Sequence, residues 1–286
     1  MKFIEILKII LLGIVEGITE WLPISSTGHM LLLDEIFTLQ LRTEFKEMFF
    51  VVIQLGAILA VVALFFKKLF PLHLEKKEDK NKLVADMGIL NLWGKVLFAC
   101  LPAAVLGILF DDLLEEYLHT PLIIALMLIV YGVAFILIEN RNQHRDLPIK
   151  TTDEISYKHA FIIGAFQVLS LIPGTSRSGA TILGALLIGV ARPAGAEFTF
   201  FLAIPVMVGA SAVKLLKFFL SAGMMSGVEI GYLLIGAAVA FAVSMVAIKF
   251  LMNFVKKHDF KVFGWYRIAL GALVIAAMVI PSLLFA

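Results

Sequence analysis

The sequence predicts an all-α polytopic membrane protein. It is expected to be two inverted-topology repeats, each a re-entrant helical hairpin followed by three transmembrane helices. Three observations lead there. The 286 residues are 61% hydrophobic and 16% charged, with mean hydropathy +0.99, against about 45–50% apolar and about 25% charged in a soluble domain. Apolar stretches long enough for about 30 Å of hydrocarbon, at about 1.5 Å per helical residue, recur along the chain. Two polar tips carrying proline interrupt the other apolar regions, and Pro23 and Pro173 lie 150 residues apart.

Six segments read as spans: 48–66, 96–110 with its flanks, 121–138, 198–213, 230–248 and 262–285. Pro102 and Pro205 are expected to kink two of them. Residues 3–38 are broken by Pro23 and "SSTGH", and 159–190 by "PGTSRSG". Each half is too short to cross, so each region is read as a hairpin that enters to mid-depth and returns. Irregular backbone at that depth needs protein or a wet cavity around it. The halves also match each other. Ser26 and Ser176, and Glu47 and Glu197, are 150 apart, and "GIVEGITEWLP" aligns with "GAFQVLSLIP" after one deletion, pairing Glu16 with Gln167. A hairpin returns to its starting side and three spans do not, so the second repeat starts on the opposite side. The chain is then one integral membrane domain, 1–286, with repeat one about 1–140, repeat two about 159–286 and a cytoplasmic linker at 139–158. Paired interrupted segments point to a midplane site.

Loop 67–82 holds six lysines against three acids, loop 252–261 holds Lys256, Lys257 and Lys261, and loop 111–116 holds Asp111, Asp112, Glu115 and Glu116 without a base. The bias of basic loops places 67–82, 139–158 and 252–261 in the cytoplasm. Lys214 and Lys217, near the outer end of a span, run against that assignment. Net charge of +2 gives no nucleic-acid signal. The single Cys100 forms no intrachain disulfide. Glu5, Lys8, Glu16 and Glu20 interrupt the first apolar run, which therefore does not read as a cleaved signal peptide.

The chemistry concentrates at the two tips. Glu16 and Glu20 share a helix face. Two neighbouring carboxylates repel unless a cation joins them, and oxygen-only ligation suits Mg²⁺ or Ca²⁺. Ser25 or Ser26 falls at the N-cap of a second half-helix, where free N–H groups favour an anion such as phosphate. Ser25 and Thr27 are thereby candidate substrate contacts. His29 is three residues from Ser26, within reach to activate a hydroxyl or move a proton. An alternative is a capped helix with an ordinary histidine. In "PGTSRSGAT", Gly174 and Gly179 allow close backbone approach, and Ser176, Ser178 and Thr181 supply hydroxyls. Arg177 is the only charge in 159–191; buried at mid-depth it needs a partner, either phosphate or Glu16 or Glu20. Two acids, a divalent cation, one His, one Arg and several hydroxyls suit phosphoryl chemistry, and the membrane setting calls for a substrate with a lipid tail. Tyr131, Gln54, Trp21, Trp93 and Trp265 read as packing or interface residues.

"EGITEWLPISSTGH" and "PGTSRSGAT" resemble the paired signature motifs of the undecaprenyl-diphosphate phosphatase family, the bacitracin-resistance proteins. "IQLGAILA", "FTFFLAIP" and "YRIALG" extend the resemblance over nearly the whole chain. It implies a phosphatase that removes the terminal phosphate of the C55 polyprenyl diphosphate, yielding the carrier for envelope polymers and conferring resistance to bacitracin. It implies dependence on a divalent cation and a bacterial plasma-membrane location with the site open to the periplasmic side. It implies roles for Glu16, Glu20, His29, Ser176, Arg177 and Thr181, with Ser26 as nucleophile; water or another hydroxyl is the alternative. The expected partners are the lipid diphosphate and membrane lipid, with room for a homodimer and no nucleic acid.

Other classes fit less well. The acid-phosphatase-like lipid phosphatases need a second histidine after the "SR" piece, and only His258, in a basic loop, follows Arg177. A rhomboid-type protease needs no buried Arg and two Glu. Inverted repeats with broken helices also mark transporters, so a flippase of the lipid phosphate is the alternative function. Transport alone does not require the nucleophile, histidine and metal set.

Overall fold

A computed structural model describes residues 2–37, 39–77 and 80–279, with the backbone alone at 34–36, 74–77, 80–83, 111–113, 115–116 and 279. Two helices, α1 (Phe3–Thr19) and α2 (Ser26–Ile36), open the chain as a broken pair. The first span is α3 (Thr43–Val52) continued by α4 (Gln54–Leu64) after a single turn residue, Ile53. A short helix α5 (Phe66–Leu69) leads to strands β1 (Leu72–Lys77) and β2 (Lys80–Ala85). Then come α6 (Met87–Leu118), α7 (Pro121–Asn142), a second broken pair α8 (Tyr157–Val168) and α9 (Arg177–Leu187), and the long helices α10 (Arg192–Ala222), α11 (Gly227–Phe254) and α12 (Lys261–Val274).

The helix starts are written in the sequence. Asp86 accepts from the Gly88 and Ile89 N–H groups at the head of α6, and Thr120 caps α7 ahead of Pro121. Ser156 and Ser226 form capping boxes with His159 and Glu229 on α8 and α11. Side-chain oxygens at these positions satisfy N–H groups that no helical carbonyl can reach.

Among the described residues six helices are long and apolar enough to cross a membrane: Thr43–Leu64, Met87–Phe110, Pro121–Asn142, Arg192–Ala222, Gly227–Phe254 and Lys261–Met278. Each contains or largely overlaps one expected span. Their outward faces carry Leu101, Ile108, Leu220, Leu234 and Val246 exposed, an apolar surface suited to lipid rather than water. The chain is a multi-pass helical membrane protein.

Three expectations are corrected, and a short hairpin is added to the mostly helical chain: β1 and β2 pair antiparallel from Leu72↔Ala85 to Lys77↔Lys80. The apolar–polar alternation Leu72, His73, Leu74, Glu75 is the period-2 signal for that strand, hidden in a lysine-rich stretch. Residues 111–116 are not a loop, because α6 continues through them to Leu118. Good helix formers, Leu and Glu, carry it on. The linker is shorter than 139–158, since α7 runs to Asn142 and α8 starts at Tyr157. The loop at 252–261 likewise shrinks to 255–260. The side chains of Lys76, Lys77, Lys80, Lys82, Asp111, Asp112, Glu115 and Glu116, used for orientation, lie outside the described residues.

Both broken pairs close at their feet. Gln40, just after α2, donates its N–H to Glu5 on α1 at 3.3 Å. Ile149, before α8, bridges Val190, after α9. The pairs dock on different spans: α1 on α11, and α8 on α6. Helix backbones approach closely through small residues there. A Cβ on Gly13 would lie 2.8 Å from the Gly236 carbonyl, and one on Gly164 2.0 Å from the Ala99 carbonyl. Along the other face α7 packs on α12, and the α3–α4 span packs on α10 and α11.

Candidate active site

The two breaks meet in the protein interior. Ser25 caps α2 with its Oγ accepting from the Gly28 N–H at 3.4 Å, and Ser176 caps α9 by accepting from the Gly179 N–H at 3.2 Å. Both serines have positive φ, 70° and 72°, the only non-glycine residues with positive φ among the described residues. Such backbone costs of order 1–3 kcal/mol and persists where surrounding structure enforces it. The caps are 151 residues apart, as are Gly28 and Gly179, Gly13 and Gly164, and Glu16 and Gln167. The expected spacing of 150 at the tips, taken from the prolines, is therefore off by one. Ser26 stands where Arg177 stands in the second tip, and no deletion is needed. The cap geometry sets the register and the prolines do not. Glu47 and Glu197 also differ in setting, the first exposed and the second buried against Lys68 at 2.7 Å.

Glu20 is the hub. One carboxylate oxygen takes the Arg177 guanidinium at 3.0 Å and the other takes the Ser26 hydroxyl at 3.1 Å. The second Arg177 amino group donates to the Thr199 carbonyl at 3.1 Å, and its buried Nε has no partner among the described residues. Ser178 joins the tips by donating to the Glu20 carbonyl at 3.1 Å, and its Oγ is 3.1 Å from that of Ser176. Arg177 thus pairs with Glu20, one of the two partners its burial called for. Removing one member of such a buried pair leaves an uncompensated charge and typically costs about 3–5 kcal/mol.

Among the described residues no hydrogen bond joins His29 to Ser26. Its Nδ1 is 2.7 Å from the Ser25 carbonyl, which can only accept, so Nδ1 carries the proton. Its Nε2 is 2.7 Å from the Tyr266 hydroxyl, with the two rings stacked. The Ser26 hydroxyl therefore leans on Glu20, not on the imidazole that its spacing suggested. Thr27 is half-buried beside them in the first turn of α2. Thr181 is fully buried; its hydroxyl donates to the Arg177 carbonyl and accepts from Thr199 at 2.9 Å. Gly174, at φ 89°, presses on α7, where a Cβ would meet the Ile124 carbonyl at 2.5 Å. Its close approach is to another helix.

Glu16 is one turn before Glu20 and buried, and its Oε1 has no hydrogen-bond partner among the described residues. An orphaned carboxylate oxygen beside a second carboxylate fits a divalent cation. No group of three or more His, Cys, Asp or Glu residues gathers among the described residues. Mg²⁺ is often held by one or two carboxylates, with waters and substrate phosphates completing its shell, so Glu16 and Glu20 are the residues that would hold it.

Arg267 is the residue that sequence reasoning missed. It is fully buried on α12, and donates to the carbonyls of Pro23 at 3.2 Å, Gly174 at 2.8 Å and Thr175 at 2.9 Å. One guanidinium therefore bolts both tips together, with the Tyr131 ring 5.6 Å from its centre. The signal was available: an arginine inside the expected span 262–285 deserves the same suspicion as Arg177. Tyr266 and Thr199, the partners of His29 and Arg177, carried no sequence signal. Trp21 is fully buried edge-on against Phe200, and Trp93 donates to the Leu69 carbonyl, both packing roles.

Fold and site together define a class: a multi-pass helical membrane protein with a carboxylate, guanidinium and hydroxyl centre where two broken helices meet. The chain belongs to the bacitracin resistance protein BacA family, whose model matches residues 9–273. An undecaprenyl-diphosphatase of Enterococcus faecalis is 64% identical over 275 residues, covering 96% of this chain and 98% of the relative. Undecaprenyl-diphosphatases of Lachnoclostridium phytofermentans and Streptococcus thermophilus are 57% and 51% identical, covering 96% and 95% of this chain and 97% and 93% of theirs.

Proposed function

We propose that the chain is a phosphatase that hydrolyses undecaprenyl diphosphate to undecaprenyl phosphate and inorganic phosphate, recycling the lipid carrier for wall synthesis and conferring bacitracin resistance. The observation that carries this reading is Glu20, which holds the Ser26 hydroxyl and the Arg177 guanidinium at once. The relatives' name agrees with it. Glu20 accepts the Ser26 proton as Ser26 Oγ bonds to the terminal phosphorus. The anhydride P–O bond breaks and the lipid monophosphate leaves. Water then cleaves the phosphoserine, and Ser26 regains a proton. The free Nε of Arg177, together with the donors released from Glu20, binds the phosphate as charge builds. His29, with its tautomer fixed by Ser25, presents Nε2 through Tyr266 as the proton relay to the leaving group. Ser25, Thr27, Ser176 and Ser178 surround the phosphate, while Thr181 and Gly174 hold the second tip in place. Glu16 and Glu20 would hold the divalent cation, which supplies neutralisation of phosphate charge.

The inverted repeat belongs to the same reading. What supports it is the exchange of partners, α1 on α11 and α8 on α6, with Lys2 at the foot of the first hairpin against Tyr232 near the head of α11 and residues 150–153 at the foot of the second sharing a cavity with Lys256 at its tail. The basic loops support a bacterial plasma membrane with 67–82 and 252–261 on the cytoplasmic side, so that the first hairpin enters from the periplasm.

The test is phosphate release from C55 diphosphate in detergent. EDTA abolishes release and Mg²⁺ or Ca²⁺ restores it, and Glu16→Gln raises the metal concentration needed. Full release in EDTA would remove the metal from this scheme.

A further inference from the structure

A cavity of about 590 Å³ lies away from the tips. Its wall is built from α5, the heads of α6 and α10, the tail of α11 and residues 150–153. Tyr232, bonded to the Lys2 N–H near the feet of the first hairpin, and Lys256, beside this cavity, mark opposite ends of α11, some 24 residues or roughly 35 Å apart. None of the tip residues lines it.

The charges in its wall are unequal once their partners are counted. Lys67, Lys68, Lys150 and Lys256 face Asp86, Asp153 and Glu197. Asp86 is committed to the Gly88 and Ile89 N–H groups at the start of α6. Glu197 takes both Lys68, at 2.7 Å, and the Thr152 hydroxyl, at 3.2 Å. Lys150 reaches only the exposed Asp146. Lys67 and Lys256 have no ion-pair partner among the described residues. Even with the Asp153 carboxylate set against them, the two amines are thus left to meet an anion with several oxygens.

The cavity lies where four spans end: α4 stops at Leu64 just before Lys67, α6 and α10 start in its wall, and α11 finishes there. Next to the lining residues in the chain, Phe66 and Phe70 stack at 5.0 Å and are each about half exposed, and Met87 and Leu90 stand exposed on α6. Amines at the ends of spans, with exposed apolar neighbours, match the headgroup level of a bilayer, where lysine stems lie along acyl chains and their heads seek phosphate. A free anion would need no such setting. We infer that this cavity seats the phosphate headgroup of an anionic phospholipid, separate from the candidate active site.

The test uses the full chain in phosphatidylcholine nanodiscs with increasing phosphatidylglycerol, and counts retained phosphatidylglycerol by native mass spectrometry. The double variant Lys67→Gln/Lys256→Gln loses apparent affinity by about 10- to 30-fold, on the scale of two juxtamembrane lysines, while Lys158→Gln does not. Thermal unfolding and phosphate release stay at wild-type level. If the double variant fails to fold, Lys67→Gln and Lys256→Gln singly each lose about 5-fold. Retention equal to wild type in these variants overturns the inference. So does displacement of the lipid by millimolar inorganic phosphate, which would make this a free-phosphate site.

Discussion

Arg267 concentrates at one residue the problem that both tips share. Pro23 in one tip and Gly174 and Thr175 in the other turn their carbonyls to this guanidinium, and a buried carbonyl without a donor costs about 1–3 kcal/mol. One planar guanidinium with five donors serves three of them from two separate chain segments. A lysine is a point charge on a flexible stem and cannot span that set. Arg267→Met should therefore lower the unfolding free energy by about 3 kcal/mol, and Arg267→Lys should recover little of it. Thermal unfolding in detergent measures both; a lysine variant with wild-type stability would show that charge alone suffices. At this scale the sequence was partly legible. Glu16, Glu20 and Arg177 stand out because charge inside an apolar run is costly. The bond from Ser26 to Glu20, and not to His29, depends on the positive φ at Ser25, and no spacing rule reports a dihedral angle.

At the scale of elements, the six spans and the two breaks follow from hydropathy and proline, and all of them are present. Their ends were less legible. α6 runs into an acidic segment and α7 into a polar one, because helix propensity outlasts apolarity. The β1–β2 hairpin was masked by its lysines. Close helix packing gives a direct prediction. Gly164→Val would drive a side chain into the Ala99 carbonyl, which is backbone and cannot yield. The cost should reach the upper part of the roughly 1–3 kcal/mol usual for overpacking. Gly209→Val, with nothing within 4 Å of its Cβ, should stay within about 0.5 kcal/mol of wild type. Equal effects in thermal unfolding would mean that α8 does not depend on that contact with α6.

For the whole molecule, the halves are tied well beyond the tips. Arg42, at the head of α3, forks onto Glu229 of α11 at 2.8 Å, and Arg192, at the head of α10, pairs with Glu139 of α7. The two arginines are 150 residues apart, and each reaches into the other half. Neither half could keep its hairpin in place alone. A repeat in the sequence thus announces a shared centre, but which residues meet there is decided by packing between distant segments. The most direct test is phosphate release from C55 diphosphate by wild type, Ser26→Ala and Arg177→Ala, each with unfolding temperature checked. If the tips form one active site, both variants lose about 10²-fold or more, the scale of a lost nucleophile or charge-stabilising donor. Folded variants that release phosphate at the wild-type rate would contradict it.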